Sequence, residues 1–207
     1  MSHLRVAPIV EGHGEVEAVR ILIRRIWTEL LRGAYADVIQ PVRRPKSKLV
    51  KERELERAVR LAALKLSQAG EPGMPLLVVV LLDANGDCPA ELGPKLLQRA
   101  QDASAHMDIA CVIAKVEYET WFVAAAESLS EYLKLEPHKQ VPMAPEQARS
   151  GKRWVEQRFR GTKYSPTVDQ PRMTAAMDLS VCRARAPSFE KLCRELEKRL
   201  RPPGASA

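Results

Sequence analysis

"MPLLVVVLLD", residues 74–83, is the stretch on which the fold turns. It is a continuous aliphatic run without polar alternation, as a strand shows when both of its faces are covered in the middle of a parallel sheet. Working outward, the turn "ANGDCP" leads into a helix from about Ala90 to Ala105, and "DIACVIAKVE" (108–117) reads as the next strand. Upstream, "LRVAPIV" (4–10) is a strand closed by a glycine turn, and Val16, Val19, Ile23, Ile26 and Leu30 recur at helical spacing between Glu15 and about Leu31. "DVIQPV" (37–42) is a weaker strand whose Pro41 points to a sheet edge or a bulge. Leu55, Val59, Ala62 and Leu66 line one side of a helix that stops at "GEPG", where Gly70, Pro72 and Gly73 punctuate the chain. "YETWFVAAAESLSEYL" supplies a further helix, with Trp121, Ala125 and Leu129 on one side.

Strands that alternate with helices at this spacing require right-handed crossovers. The expected fold is therefore α/β, a mainly parallel four-stranded sheet with helices on both faces, over residues 1–140. Residues 141–207 read as a helical, basic extension packed on the same domain. It should hold short helices around 145–160, an irregular "GTKYSPTVDQP" and a last helix from about Ser188 to Leu200.

At 207 residues one full domain is the default. No apolar run approaches the roughly 20 residues that span a bilayer. "MSHLRVAP" lacks the charged, apolar, small order of a signal peptide, so no membrane partner and a cytoplasmic address are expected. The four cysteines have no C-x-x-C spacing and the four histidines no helical pairing, which argues against a zinc site or a disulfide framework. The net charge of +7 is uneven: Arg149 to Arg201 holds 14 Lys or Arg against 6 Asp or Glu, and the rest of the chain is nearly balanced. A second basic run, "RRPKSKLVKERELER", follows the second strand. Basic stretches of this kind suit nucleic acid, because each neutralised phosphate releases condensed counterions. Arg43, Arg44, Lys46, Lys48, Lys152 and Arg153 are the candidate contacts; a merely solvated basic face is the competing reading.

Acidic residues stand at the ends of three strands, where open α/β sheets place their sites. Glu11 ends the first, Asp83 the third and Glu117 the fourth, with Glu15, Asp87 and Glu119 on the turns behind them. Taken singly, Glu15 is a favourable first-turn acid and Asp87 a helix cap. Gathered together, such carboxylates repel and need a cation. Oxygen ligands without histidine or cysteine select Mg²⁺ or Mn²⁺, ions that serve phosphodiester cleavage. Gly12 and Gly14 lack the rest of a dinucleotide or phosphate-loop motif, so the chain itself does not read as an ATPase.

"VEGHGEVEAV", "LLDANGD", "VEYETWF", "KYSPTVDQPRMTAAMDL" and "SFEKL" carry a resemblance that covers nearly the whole chain. The pattern resembles a Toprim domain, the topoisomerase-primase fold also used by nucleases of the overcoming-lysogenization-defect (OLD) type. Within it, the chain is most similar to the small Toprim-like proteins of domain-of-unknown-function family 4276. The resemblance implies a metal-dependent nuclease, acting with a separate ATPase partner in defence against foreign DNA. By position, Glu11 would be metal ligand or general base, assisted by Glu15; Asp83 would hold a metal, and Glu117 or Glu119 would complete a second site. Asn85 stands where the family's Asp-x-Asp motif has its second aspartate, and Asp87 is the nearest replacement. The resemblance also implies a lysine near the scissile phosphate, for which Lys163 in "GTKYSP" is the candidate; one more basic surface residue is the competing reading. A non-catalytic scaffold that binds nucleic acid or an ATPase is the alternative, and Asn85 favours it.

Overall fold

A computed structural model describes residues 3–51, 53–68, 73–135 and 141–200. The helix stop expected at Gly70 and Pro72 lies outside these residues, as does segment 136–140. Among the described residues, all strands are parallel and run in the order β2-β1-β4-β5, with β3 also paired to β1. β1 is His3–Val10, β2 Tyr35–Val38, β3 Val42–Arg43, β4 Leu76–Asp83 and β5 Asp108–Ala114. The central run behaves as its composition demands: Leu77 to Leu82 are all at most 1% exposed. Each such side chain contributes roughly 1.5–3 kcal/mol of burial.

The sheet has five strands rather than four because the second one is split. β2 pairs with His3 to Val6 and β3 with Ile9 and Val10, on the same edge of β1, since β4 occupies the other. Pro41 has no N–H to give to the ladder and falls in the gap between them, the edge interruption its chemistry requires.

Helices cover both faces. On one lie α2 (Lys46–Leu49), α3 (Glu54–Ser67) and α4 (Pro89–Ala103), whose Leu55, Val59, Leu66 and Leu96 meet the β4 residues Val78, Val80 and Leu82. On the other lies α1 (His13–Arg25), continued by one π-helical turn to Leu30. It shares a core with α5 (Glu119–Ala124) and α6 (Gly151–Arg158), and with α7 (Pro166–Ala176), α8 (Leu179–Arg185) and α9 (Pro187–Glu197). Trp27, Trp121 and Phe189 are fully buried in that core. α7 runs along α1 and α9 lies against β5, so the basic C-terminal segment completes the face that α1 alone leaves uncovered.

Two expectations need correction here. "GTKYSPTVDQP" is not irregular throughout, because α7 starts at Pro166, and α8 precedes the last helix. β5 ends at Ala114, three residues before Glu117. Among the described residues, no helix is long and apolar enough to cross a membrane.

Candidate functional site

The C-terminal ends of β1, β4 and β5 open into one cleft of about 420 Å³, lined among others by Glu15, Asp83, Asn85, Glu117, Glu119 and Lys152. Glu11 follows the last residue of β1, Asp83 is the last of β4, and Glu15 lies in the first turn of α1. One oxygen from each of Glu11, Glu15 and Asp83 lies within 4.8 Å of the other two, a cluster able to hold a metal ion. Parallel pairing of β1 with β4 produces this convergence, since it brings the ends of both strands to one side.

Local bonds fix the three side chains. Glu15 Oε2 accepts the Glu11 N–H at 3.2 Å, folding its carboxylate back over the start of α1. Asp83 Oδ1 accepts the Tyr118 N–H at 2.8 Å, tying the end of β4 to the start of α5. Asn85 donates from Nδ2 to Glu11 Oε1 at 3.4 Å. Among the described residues, no lysine or arginine forms an ion pair with any of the three. Burial, then the charge of Glu11, pushes the Glu15 carboxyl up to about 7. Burial, then Glu15 and Glu11, holds Asp83 well above the usual carboxylate range.

The backbone beside them is strained. Val116 has φ +66°, and the Glu117 N–H bonds back to the Lys115 carbonyl at 3.1 Å, the two-residue span of a classic γ-turn. For a β-branched residue this left-handed conformation costs on the order of 1–3 kcal/mol. Asn85, at φ +49°, donates its N–H to the Val116 carbonyl at 2.9 Å. Two left-handed non-glycine residues thus brace each other across the strand ends and aim Asn85 and Glu117 into the cleft.

Glu117 and Glu119 form the other side. Glu117 Oε2 accepts from Ser150 Oγ at 2.9 Å and from the Lys152 N–H at 2.8 Å. Glu119, 4% exposed, has Oε1 bonded to Tyr164 OH at 3.2 Å and to Gln170 Nε2 at 3.1 Å. Burial raises Glu119 as well, with Glu117 adding to it. Gly151 permits the close approach of α6 to α5, since a Cβ there would lie 2.4 Å from the Thr120 nitrogen. Gly14 does the same for α7: its Cβ would meet Gln170 Oε1 at 2.1 Å and the Pro166 carbonyl at 2.6 Å. The glycine pair in "EGHGE" is therefore partly a helix contact. Gln170 Oε1 is buried with no hydrogen-bond partner among the described residues.

The other expected residues are dispersed. Asp87 is turned away from the cluster and pairs with Lys46 at 2.8 Å; the same ammonium donates to the Ala84 carbonyl. Lys46 is thus an internal tie. Arg43 donates to the Glu11 carbonyl at 3.4 Å, while Arg44, Lys48 and Arg153 are exposed. Lys152 lines the cleft; Lys163 is exposed and does not line it. Its neighbour Tyr164 and, six residues on, Gln170 are the residues that the sequence reading missed. Their signal was the pair Ser165-Pro166, a cap followed by a proline that starts a helix, with Asp169 Oδ2 reaching back to the Ser165 N–H at 2.7 Å.

The molecule is thus an α/β protein with an acidic cleft at the carboxyl ends of its parallel strands. The chain belongs to the family described as domain of unknown function DUF4276, whose profile matches residues 10–197. Neither a curated protein nor a solved structure gives a significant match.

Proposed function

We propose that the cleft binds Mg²⁺ or Mn²⁺ and hydrolyses phosphodiester bonds in nucleic acid, as a Toprim-like nuclease related to the OLD type. The supporting observation is the meeting of Glu11, Glu15 and Asp83 within 4.8 Å without a basic partner among the described residues. Three carboxylates of which two have raised proton affinity are a poor resting arrangement unless a cation joins them. An all-oxygen donor set fits a hard divalent ion. When bound, such an ion supplies Lewis-acid stabilisation of a phosphoryl oxygen and a more acidic water.

The protein's own groups do the rest. Glu11, partly exposed just past the end of β1, is the candidate base toward water, while Asp83 and the buried Glu15 fix the charge beside it. Lys152, on the cleft wall, faces the position of a phosphate and offsets its charge. Arg43, Arg44 and Lys48, beside the end of β1, extend the positive surface along a DNA backbone. A separate ATPase would act in trans, in defence against foreign DNA.

A second reading, a non-catalytic scaffold binding nucleic acid or an ATPase, draws on one observation. Asn85 brings a neutral amide and Asp87 is committed to Lys46, so the motif lacks a further free carboxylate. Incubation of supercoiled and linear DNA with the purified protein and Mn²⁺ separates the two. The nuclease reading expects cleavage that Asp83→Asn abolishes in a variant that still melts cooperatively; retention of DNA without cleavage at any metal concentration favours the scaffold.

A further inference from the structure

In a groove separate from the acidic cleft, of about 410 Å³ and lying between α4 and α9, the unpaired edge of β5 forms the floor, with Cys111 and Ile113 only 4% and 3% exposed at its base. Backbone groups alternate sides along a strand. The Ala114 and Val116 carbonyls accept from Ala84 and Asn85, so the even-numbered residues face β4. Cys111 and Ile113 accordingly turn their N–H and C=O outward, and among the described residues no strand pairs with them. The next outward N–H, that of Lys115, is taken by Ser188 Oγ at 3.2 Å, which closes that end of the groove.

The α4 wall is built from Ala90, Gly93, Pro94 and Leu97. Gly93 and Pro94 both weaken a helix interior, and Pro94 leaves the Ala90 carbonyl without its usual donor four residues on. Packing does not explain Gly93, since a Cβ there would meet only Ile113 Cγ1, at an ordinary 3.7 Å. What the two residues do is keep the wall low and apolar beside an unpaired strand edge.

The opposite rim is cationic. Lys115, Lys191 and Arg194 line the groove; the one carboxylate among its described lining residues, Glu146, is occupied by the Ser188 N–H at 2.8 Å and its hydroxyl at 2.5 Å. Lys191 and Arg194 hold only long, exposed ion pairs, at 3.5 and 3.6 Å, which bind them weakly. A second copy of the chain would set the same cations against each other. Segment 201–207, "RPPGASA", carries an arginine and no acidic side chain.

We infer that this groove docks an extended acidic segment of a partner protein, which adds a strand to the free edge of β5. Main-chain bonds to Cys111 and Ile113 give such a segment its affinity, and its side chains alternate between the two walls. Apolar residues face Ala90 and Gly93, and carboxylates face Lys191 and Arg194. The inference is independent of the chemistry of the acidic cleft.

Selection of a displayed library of random decapeptides on the full chain tests it. The expected winners alternate apolar and acidic residues, and a synthetic copy slows hydrogen exchange at the Cys111 and Ile113 amides. Gly93→Leu, which fills the groove with a better helix former, should weaken that peptide about tenfold or more. The paired surface change Lys191→Gln with Arg194→Gln, which removes both charges without placing new ones beside Glu190 and Glu195, should abolish the preference for acid in a protein that still melts cooperatively. Winners without acidic residues, binding indifferent to both variants, or protection of the two amides by self-association instead would each overturn the proposal.

Discussion

The two sides of the acidic cleft solve the same electrostatic problem differently. Glu117 and Glu119 are surrounded by donors from the protein: a serine hydroxyl and a backbone amide for one, a tyrosine and a glutamine for the other. Among the described residues, Glu11 and Asp83 have one donor each and Glu15 only the backbone amides at the start of its own helix, and the three otherwise face one another. Carboxylates that the fold itself satisfies are structural supports, whereas carboxylates that it leaves repelling are those for which an external cation is the natural partner. On the proposed reading, the primary ligands would lie at the β1 and β4 ends, and Glu117 and Glu119 would orient the wall that carries Lys152 and α7.

The contrast is broken most decisively at Asp83. Asp83→Asn should reduce Mn²⁺ affinity by about 100-fold, read by calorimetry, because it removes one of the three carboxylate charges of the cluster. Equal affinity in the variant would move the metal, if one binds, to another position.

The pH dependence gives the next largest effect. Glu15 titrates near 4.5 when unfolded and at about 7 in the fold, so between these values the native state holds a proton that the unfolded chain has released. Stability therefore falls as pH rises from about 4.5 to about 7 and levels off above, by on the order of 3 kcal/mol. The raised Asp83 acts in the same direction. The metal-free protein should melt several degrees lower at pH 8 than at pH 5, and Mn²⁺ should restore the loss at pH 8 with little effect at pH 5. A flat melting profile would show that the three carboxylates are solvated rather than crowded.

Glu15→Gln sharpens the same point. It should stabilise the metal-free protein at pH 8 by about 1–2 kcal/mol, since it removes a buried repelling charge, while reducing the metal-induced shift. On the other side of the cleft the sign reverses. Tyr164→Phe removes a donor from Glu119 and should cost about 1 kcal/mol, with Mn²⁺ affinity changed by less than about tenfold. A cost no larger, up to about 1 kcal/mol and with Mn²⁺ affinity unchanged, is expected from Lys46→Ala, which frees Asp87 from its partly exposed pair.

Much of this was legible in the residues. A run such as Leu77 to Leu82 has one comfortable place in an α/β protein, between two neighbours and under two helical layers, and it occupies that place. Pro41 marked the broken edge strand because the missing N–H is a local fact. Strand order and parallel pairing then gathered Glu11 and Asp83. Other features depended on tertiary contacts that periodicity does not carry. α7 holds Pro171 inside it and packs along α1, so its apolar pattern is weak although its Ser165-Pro166 start is plain. Lys163 is a residue type that suggests chemistry, yet it is Tyr164 and Gln170, on the same segment, that turn inward to Glu119. Asp87 seemed a natural substitute for the absent carboxylate at Asn85, but Lys46 on another element claims it. The left-handed Val116 carried no signal in the sequence, because valine disfavours that conformation.

The central claim is that Glu11, Glu15 and Asp83 are ligands of one divalent ion. A crystal of the protein soaked in Mn²⁺ and measured at the manganese absorption edge tests it directly. The account predicts one anomalous peak bonded to oxygens of all three residues. An empty cluster at millimolar Mn²⁺, or a peak seated on Glu117 and Glu119 alone, would contradict it.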